Sequence, residues 1–148
     1  MIQKFKAAGP LSGEVRVPGD KSISHRALMI AALAEGTSRI QGLSPGLDVA
    51  STAACMRELG ASFEPGQAHE LIVRGTGKHG LKAPETELYA GNSGTTIRLL
   101  SGILAGQRFT SRISGDQYLV RRPMKRVIEP LEMMGAGIES GPGGHPPL

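Results

Sequence analysis

Two apolar runs stand out from a chain otherwise interrupted every few residues by glycine, proline or charge. Residues 27–34 are unbroken, and residues 97–104 are broken only by Arg98, Ser101 and Gly102. Each run follows a short strand signal, 14–17 before the first and 87–90 before the second, and a polar, glycine-containing turn, so both read as strand, tight turn and buried helix. The first helix is predicted from Lys21 or Ser22 to about residue 34, buried on most sides, with Glu35-Gly36 ending it. A strand over 37–41, a loop over 42–46 and a second helix over 48–59 follow. In that helix Val49, Ala53 and Met56 share one face, while Arg57 and Glu58 face water. Two strands, 61–64 and 70–74, flank Pro65-Gly66, and 75–84 is a linker. The order then recurs: strand 87–90, helix from 94 to about 105, strand 109–114, helix from 123 to about 134, strand 136–139. Met124, Val127, Ile128, Leu131 and Met134 make the buried face of the last helix, which Pro130 should kink.

The recurrence extends to individual residues. Pro18-Gly19-Asp20-Lys21-Ser22-Ile23-Ser24-His25-Arg26 is answered by Gly91-Asn92-Ser93-Gly94-Thr95-Thr96-Ile97-Arg98, with equal spacing from Gly19 to Arg26 and from Gly91 to Arg98. Ser38-Arg39-Ile40 is answered by Ser111-Arg112-Ile113, and Leu59-Gly60-Ala61 by Met134-Gly135-Ala136. This is an internal repeat, of strand-helix-strand-helix-strand-strand units in an α/β (α+β) fold. Repeat one spans about 14–76 and repeat two about 86–148, with the last strand of repeat two absent. A fragment or truncated form is the expectation.

Composition narrows the function classes. With 39% hydrophobic and 20% charged residues the chain is ordinary globular material. No apolar run is long enough to span a membrane, and the first residues carry no signal-peptide core. One cysteine cannot make an internal disulfide, so a reducing cytoplasm is expected. Seventeen Lys and Arg against thirteen Asp and Glu leave a net charge of +4, which favours an anionic partner. Only 3% aromatic residues argues against a base-stacking nucleic-acid surface and in favour of small anionic metabolites.

The two helix mouths carry the candidate chemistry. At the first, Lys21 and Ser22 join the free N–H groups beside Gly19, with Arg26 one turn deeper; at the second, Gly94 and Arg98 repeat the design. Each mouth can hold a phosphate or carboxylate, although neither has the Walker spacing of a nucleotide loop. A capping serine beside a solvated lysine is the plainer reading of one such motif; its echo favours binding. Arg122, preceding Pro123, should be extended, with Pro123 in the first helical position. Arg121, Lys125 and Arg126 should be solvated. His25, His69, His79 and His145 show no metal-ligand spacing, the last three falling in loops, and Cys55 reads as a buried, unreactive thiol.

Together Gly19-Asp20-Lys21-Ser22, Arg26, Gly91-Asn92-Ser93-Gly94-Thr95-Thr96, Arg98, and Gly115-Asp116 through Arg122-Pro123-Met124 resemble the EPSP synthase family, in a form similar to its Bacillus-like bacterial branch. The resemblance covers the whole chain. It implies an enolpyruvyl transferase fold of two bodies, each with three repeats, in which residues 1–20 carry a first strand of the lower domain and 21–148 an incomplete upper domain with under two of its three repeats. The implied reaction is transfer of the enolpyruvyl group from phosphoenolpyruvate to the 5-hydroxyl of shikimate 3-phosphate, within aromatic amino-acid biosynthesis. Lys21, Ser22 and Arg26 would contact shikimate 3-phosphate; Lys21, Asn92, Gly94, Arg98 and Arg122 would serve phosphoenolpyruvate, with Lys21 also counted catalytic. No metal or organic cofactor is implied, and no membrane or nucleic-acid partner. A monomer is expected unless the absent C-terminal portion is a separate chain. Glycine rather than alanine at position 94 implies glyphosate sensitivity of the longer enzyme. The fragment alone is expected to be inactive, since the family's acid and base groups fall largely outside it. Tyr118 stands where the family usually has a small serine. The UDP-N-acetylglucosamine enolpyruvyl transferases fit less well, because Ser22 and Gln117 replace their asparagine and cysteine. A non-catalytic anion-binding module, or half of a split enzyme, is the alternative from another class.

Overall fold

The computed structural model describes residues 3–6, 9–67 and 70–148. His69, expected in a loop, lies outside them. The elements are α1 (Lys21–Leu33), β1 (Glu35–Ile40), α2 (Leu47–Glu58), β2 (Ser62–Pro65), β3 (Leu71–Thr76), β4 (Leu88–Tyr89), α3 (Gly94–Leu104), β5 (Ile113–Ser114) and α4 (Lys125–Met133), with a 3-10 turn at Leu119–Arg121.

Both long helices start where the capping residues dictate. The Asp20 side chain accepts the Ile23 N–H at 2.8 Å, and Ser93 Oγ accepts the Thr96 N–H at 3.1 Å. In α1, Leu28, Met29, Ala31 and Ala32 enter the core, but Ile23 and Ile30 stay 68% and 67% exposed, so the helix is buried along one face rather than on most sides. Its neighbours α2 and β3 cover only that face. The core itself is continuous through both repeats: Leu28, Met56, Leu59, Leu88, Ile97, Leu100, Leu119 and Met124 are all at most 1% exposed. Cys55 lies within it, donating to the Tyr89 carbonyl at 3.5 Å, and burial pushes its thiol up to about 11. Arg57 is exposed, its guanidinium stacked over Phe63 at 5.0 Å.

In the first unit β3 lies between β1 and β2, antiparallel to both. Ile40 faces Leu71 and Ser38 faces Val73 in the register. In the second unit β4 and β5 are parallel, and the final residue continues the design: Ile113 and Leu148 exchange N–H to carbonyl bonds of 2.9 and 3.0 Å. Leu148 thus occupies against Ile113 the place that Leu71 occupies against Ile40.

Three strand expectations are corrected, the last two for one reason. Residues 14–17 are not a strand; they lie unpaired, with Val15 and Val17 about four-fifths exposed (81% and 80%). Residues 136–139 are irregular, and the strand expected over 109–114 shortens to its last two residues. In the first unit β2 pairs with β3 alone, so where the central strand has no counterpart its flanking strands lose their ladder. The last helix also departs from expectation. It begins at Lys125, with Pro123 outside it, and it runs through Pro130; Val127 and Leu131 are only half-buried, and Met134 is 81% exposed.

The entry into α1 depends on a close backbone crossing. A Cβ at Gly19 would lie 1.7 Å from the Gly42 carbonyl oxygen, and Gly42 itself has φ +69°. Only glycine fits either position.

Candidate functional site

Three helix N-termini meet at Asp48. Its carboxylate holds Lys21 Nζ at 2.6 Å, at the mouth of α1. Its backbone carbonyl, in the first turn of α2, lies 3.2 Å from Thr96 Oγ1, in the first turn of α3. Ser22 and Arg26 are exposed beside Lys21, and Arg26 Nη1 donates back to the Ser22 carbonyl at 3.1 Å. Lys21, Ser22 and Arg26 are therefore together on one solvent-facing mouth.

The second mouth is more enclosed and more strongly charged. Arg98, one turn into α3, folds back so that Nη1 reaches the Gly94 carbonyl at 3.2 Å. A Cβ at Gly94 would meet Arg98 Nη1 at 2.6 Å and Arg122 Nη1 at 2.8 Å, so both guanidinium groups lie directly over this glycine. Arg122 has the extended backbone expected before proline, φ −86° and ψ 131°, and donates to Asn92 Oδ1. Asn92 Nδ2 in turn donates to Asp116 at 2.9 Å. Backbone N–H bonds from Leu119 and Tyr118, the Asn92 amide and the charge of Arg122 hold the Asp116 carboxyl below its usual value, against a smaller opposing effect of burial. Tyr118 contributes its N–H while its ring stays 59% exposed, which is why a large residue fits where a small serine is usual.

Arg98 lacks compensation. Its Nε is buried with no hydrogen-bond partner among the described residues, and its pKa is lowered first by burial and then by repulsion from Arg126 and Arg122. No carboxylate pairs with it among the described residues. Two guanidinium groups and a buried donor are gathered over a helix start with no carboxylate paired to Arg98 among the described residues, an arrangement that an anion would complete.

Beneath the mouths runs a buried line of hydroxyls. His25 Nδ1 is 2.6 Å from Thr52 Oγ1, and Thr52 Oγ1 is 2.7 Å from Thr96 Oγ1, which is also 2.7 Å from Ser93 Oγ. The line ties α1, α2 and the cap of α3 together. Burial is the main reason that the His25 pKa falls below 6.5; attraction from Asp48 opposes this, and repulsion from Lys21 and Arg26 adds to it. As pH falls the unfolded chain takes up a proton first. The stability that depends on neutral His25 is therefore fully present above 6.5 and lost as pH drops from there through the lowered folded value. The melting temperature should fall as pH drops below 6.5, and His25→Asn should flatten that part of the profile. An unchanged slope in the variant would mean that other groups cause it.

Of the residues singled out from sequence, Asn92, Gly94, Arg98 and Arg122 form one cluster and Lys21, Ser22 and Arg26 another, joined through Asp48 and Thr96. Sequence reading missed Asp48 and the His25–Thr52–Thr96–Ser93 line, and it named Asp116 within a motif without giving it a role. Asp48 left one signal, an acid in the first turn of a helix. A groove of about 510 Å3 runs beside the cluster, lined by Asp48, Ser51, Tyr89, Gly91, Asn92 and Asp116 among others. The larger groove, about 780 Å3, lies along 109–113 and 136–141 and contains none of the clustered residues. The smaller one belongs with the chemistry, because it adjoins the charges.

The sequence profile of the family described as EPSP synthase (3-phosphoshikimate 1-carboxyvinyltransferase) matches residues 5–148. A 3-phosphoshikimate 1-carboxyvinyltransferase of Alkalilimnicola ehrlichii is 52% identical over 143 residues, 97% of this chain and 32% of the relative. The protein of that name from Solibacter usitatus is 51% identical over all of this chain and 34% of its own length. The structure of EPSP synthase from Acinetobacter baumannii superposes with a TM-score of 0.86 at 48% identity, over 91% of this chain and 31% of that one. The chain thus spans about a third of the length of the relatives it matches.

Proposed function

The chain belongs to the EPSP synthase family, and from that premise we propose that it forms the anion-holding wall of a site where the enolpyruvyl group of phosphoenolpyruvate passes to the 5-hydroxyl of shikimate 3-phosphate, with release of phosphate. The observation that carries this reading is the uncompensated Arg98 with Arg122 over Gly94. Arg98, Arg122, Asn92 and the helix mouth at Gly94 hold phosphoenolpyruvate; Lys21, Ser22 and Arg26 hold the shikimate phosphate, and Lys21 reaches both. Asp48 keeps Lys21 in place until an anion displaces it. In a transfer that proceeds by addition and then loss of phosphate, these residues position two anions that would otherwise repel one another. Residues 21–148 act as one body, and 1–20 lead into a second. A cytoplasmic setting suits phosphorylated metabolites, and no helix among the described residues is long and apolar enough to cross a membrane.

A second reading, in which this chain binds without turning over, is favoured by its span of about a third of its relatives. Incubation with both substrates distinguishes the two, since phosphate released above blank would exclude it. For the shared binding step, titration with shikimate 3-phosphate should show Lys21→Ala weaker by roughly 1.5–3 kcal/mol, the scale of a hydrogen bond to a charged group. Equal affinity in both proteins would refute the assignment.

A further inference from the structure

Of the three helices that meet at Asp48, α1 and α3 are capped by the side chains of Asp20 and Ser93, whereas α2 follows Gly46, which offers none. Leu47 does not anchor its start either, being 86% exposed. The bonds that fix the first turn of α2 come from the other two helices. Ser24 Oγ accepts the Ser44 N–H at 2.9 Å on the approach to α2, and Thr96 Oγ1 donates to the Asp48 carbonyl at 3.2 Å. The repeat puts these two hydroxyls in the same place, five residues after Gly19 and after Gly91.

The hydrogens along the buried line admit one arrangement. His25, Thr52, Thr96 and Ser93 are all 0% exposed, so they find their partners among protein groups. Thr96 Oγ1 has one hydrogen and three oxygen neighbours, Thr52 Oγ1 and Ser93 Oγ at 2.7 Å and the Asp48 carbonyl at 3.2 Å. The carbonyl has no hydrogen and can only receive one, and Ser93 Oγ is turned as an acceptor, taking the Thr96 N–H as well. Thr96 therefore spends its hydrogen on these two and can only accept from Thr52. Thr52, its own hydrogen spent, accepts from His25 at 2.6 Å, so Nδ1 carries the ring hydrogen. The same tautomer leaves His25 Nε2, which has no partner among the described residues, as a bare lone pair instead of a stranded N–H. The line thus runs one way, from α1 through α2 to α3, and returns to α2 at the Asp48 carbonyl.

We propose that Thr96 is a positioning residue for Lys21: the hydrogen it gives to the Asp48 carbonyl fixes the uncapped first turn of α2 and so aims the Asp48 carboxylate at Lys21 Nζ, 2.6 Å away. Thr96 touches no charged group itself. Its influence passes through one backbone carbonyl to a half-exposed ion pair at the mouth of α1, and the one-way line keeps its hydrogen from turning to Thr52. The consequence for ligands rests on the reading that Lys21 holds a phosphorylated anion, because an anion arriving there must find the ammonium group already placed.

The test uses the whole chain without ligand. Nitrogen-15 NMR of the unaltered protein should show His25 with its hydrogen on Nδ1; a hydrogen on Nε2 would reverse the line and overturn the proposal. Trace acetylation near neutral pH, read by mass spectrometry, then reports how firmly Lys21 is held, with Lys78 and Lys82 as internal references. Thr96→Val should raise the rate at Lys21 about two- to five-fold, the scale of an exposed ion pair, and leave the references unmoved, while Thr96→Ser keeps the original rate. Asp48→Asn should raise it as much, and adding Thr96→Val to Asp48→Asn should raise it no further. A rise shared by all three lysines, or one that persists in full on top of Asp48→Asn, would make Thr96 a merely structural residue. Should Thr96→Val fail to fold, Thr96→Cys, whose thiol is a weak donor, carries the same comparison. Titration of the same proteins with shikimate 3-phosphate separates the two ideas: no binding to the unaltered chain would remove the reading of the site, and the acetylation rates would still decide the role of Thr96.

Discussion

Gly94→Ala is expected to lower the affinity for phosphoenolpyruvate, or for glyphosate in a full-length relative, by roughly 1.5–3 kcal/mol, the scale of a charged hydrogen bond, while hardly moving the melting temperature. The two halves of this outcome have different causes. Alanine's methyl would lie 2.6 Å from Arg98 Nη1 and 2.8 Å from Arg122 Nη1, so both guanidinium groups must withdraw from the helix mouth. They are the far ends of flexible side chains and can do so at small cost. Gly94 begins α3 with φ outside the left-handed region, and alanine is the better helix former. Binding is lost because the charges move and a methyl group covers the N–H groups. Calorimetric titration beside a thermal melt separates the halves. If inhibition stays unchanged and the melting point drops, Gly94 is a structural glycine and the anion site lies elsewhere.

Thr52→Val is expected to do the reverse, reducing stability by roughly 1–3 kcal/mol for each polar atom left without a partner. Thr52 is wholly buried and links His25 to Thr96. Valine keeps the shape but removes the hydroxyl. His25 Nε2 already lacks a partner among the described residues, so the variant would leave both ring nitrogens unsatisfied in the interior. For a chain of this size the melting temperature should fall by about 2–4 °C per kcal/mol. Thr52→Ser, which keeps the oxygen, should recover most of the loss. Equal melting of Thr52→Val and the unaltered protein would show that the hydroxyl line contributes nothing net.

The helices were legible because their determinants are local. Asp20 and Ser93 announce the starts of α1 and α3, and the apolar runs behind them leave no other economical conformation. β2 and β3 could be read because their partners belong to the same unit. Residues 14–17 and 136–139 have equally good strand patterns, but a strand exists only through a neighbour, and no pattern within a segment says whether the neighbour is there. The site divides similarly. Glycine, lysine and arginine at helix mouths are visible in sequence as motifs. Asp48 meets Lys21, and Thr52 meets His25 and Thr96, only after three helices have converged, so the residues that position the motifs carried almost no signal of their own.

The crossing of Gly19 under Gly42 limits which second mutations could rescue a first. The obstacle to any side chain at position 19 is a carbonyl oxygen 1.7 Å away, part of the main chain and the same whatever residue stands at 42. No smaller replacement exists there, and the left-handed backbone of Gly42 penalises every larger one. A selection for revertants of a Gly19 variant should therefore return true reversion, or changes that shift the whole loop over 41–46, and no compensating side chain at 42. Lys21 lies two residues beyond this crossing, so the drift allowed to the loop over evolutionary time is set by how far that lysine can be displaced from Asp48.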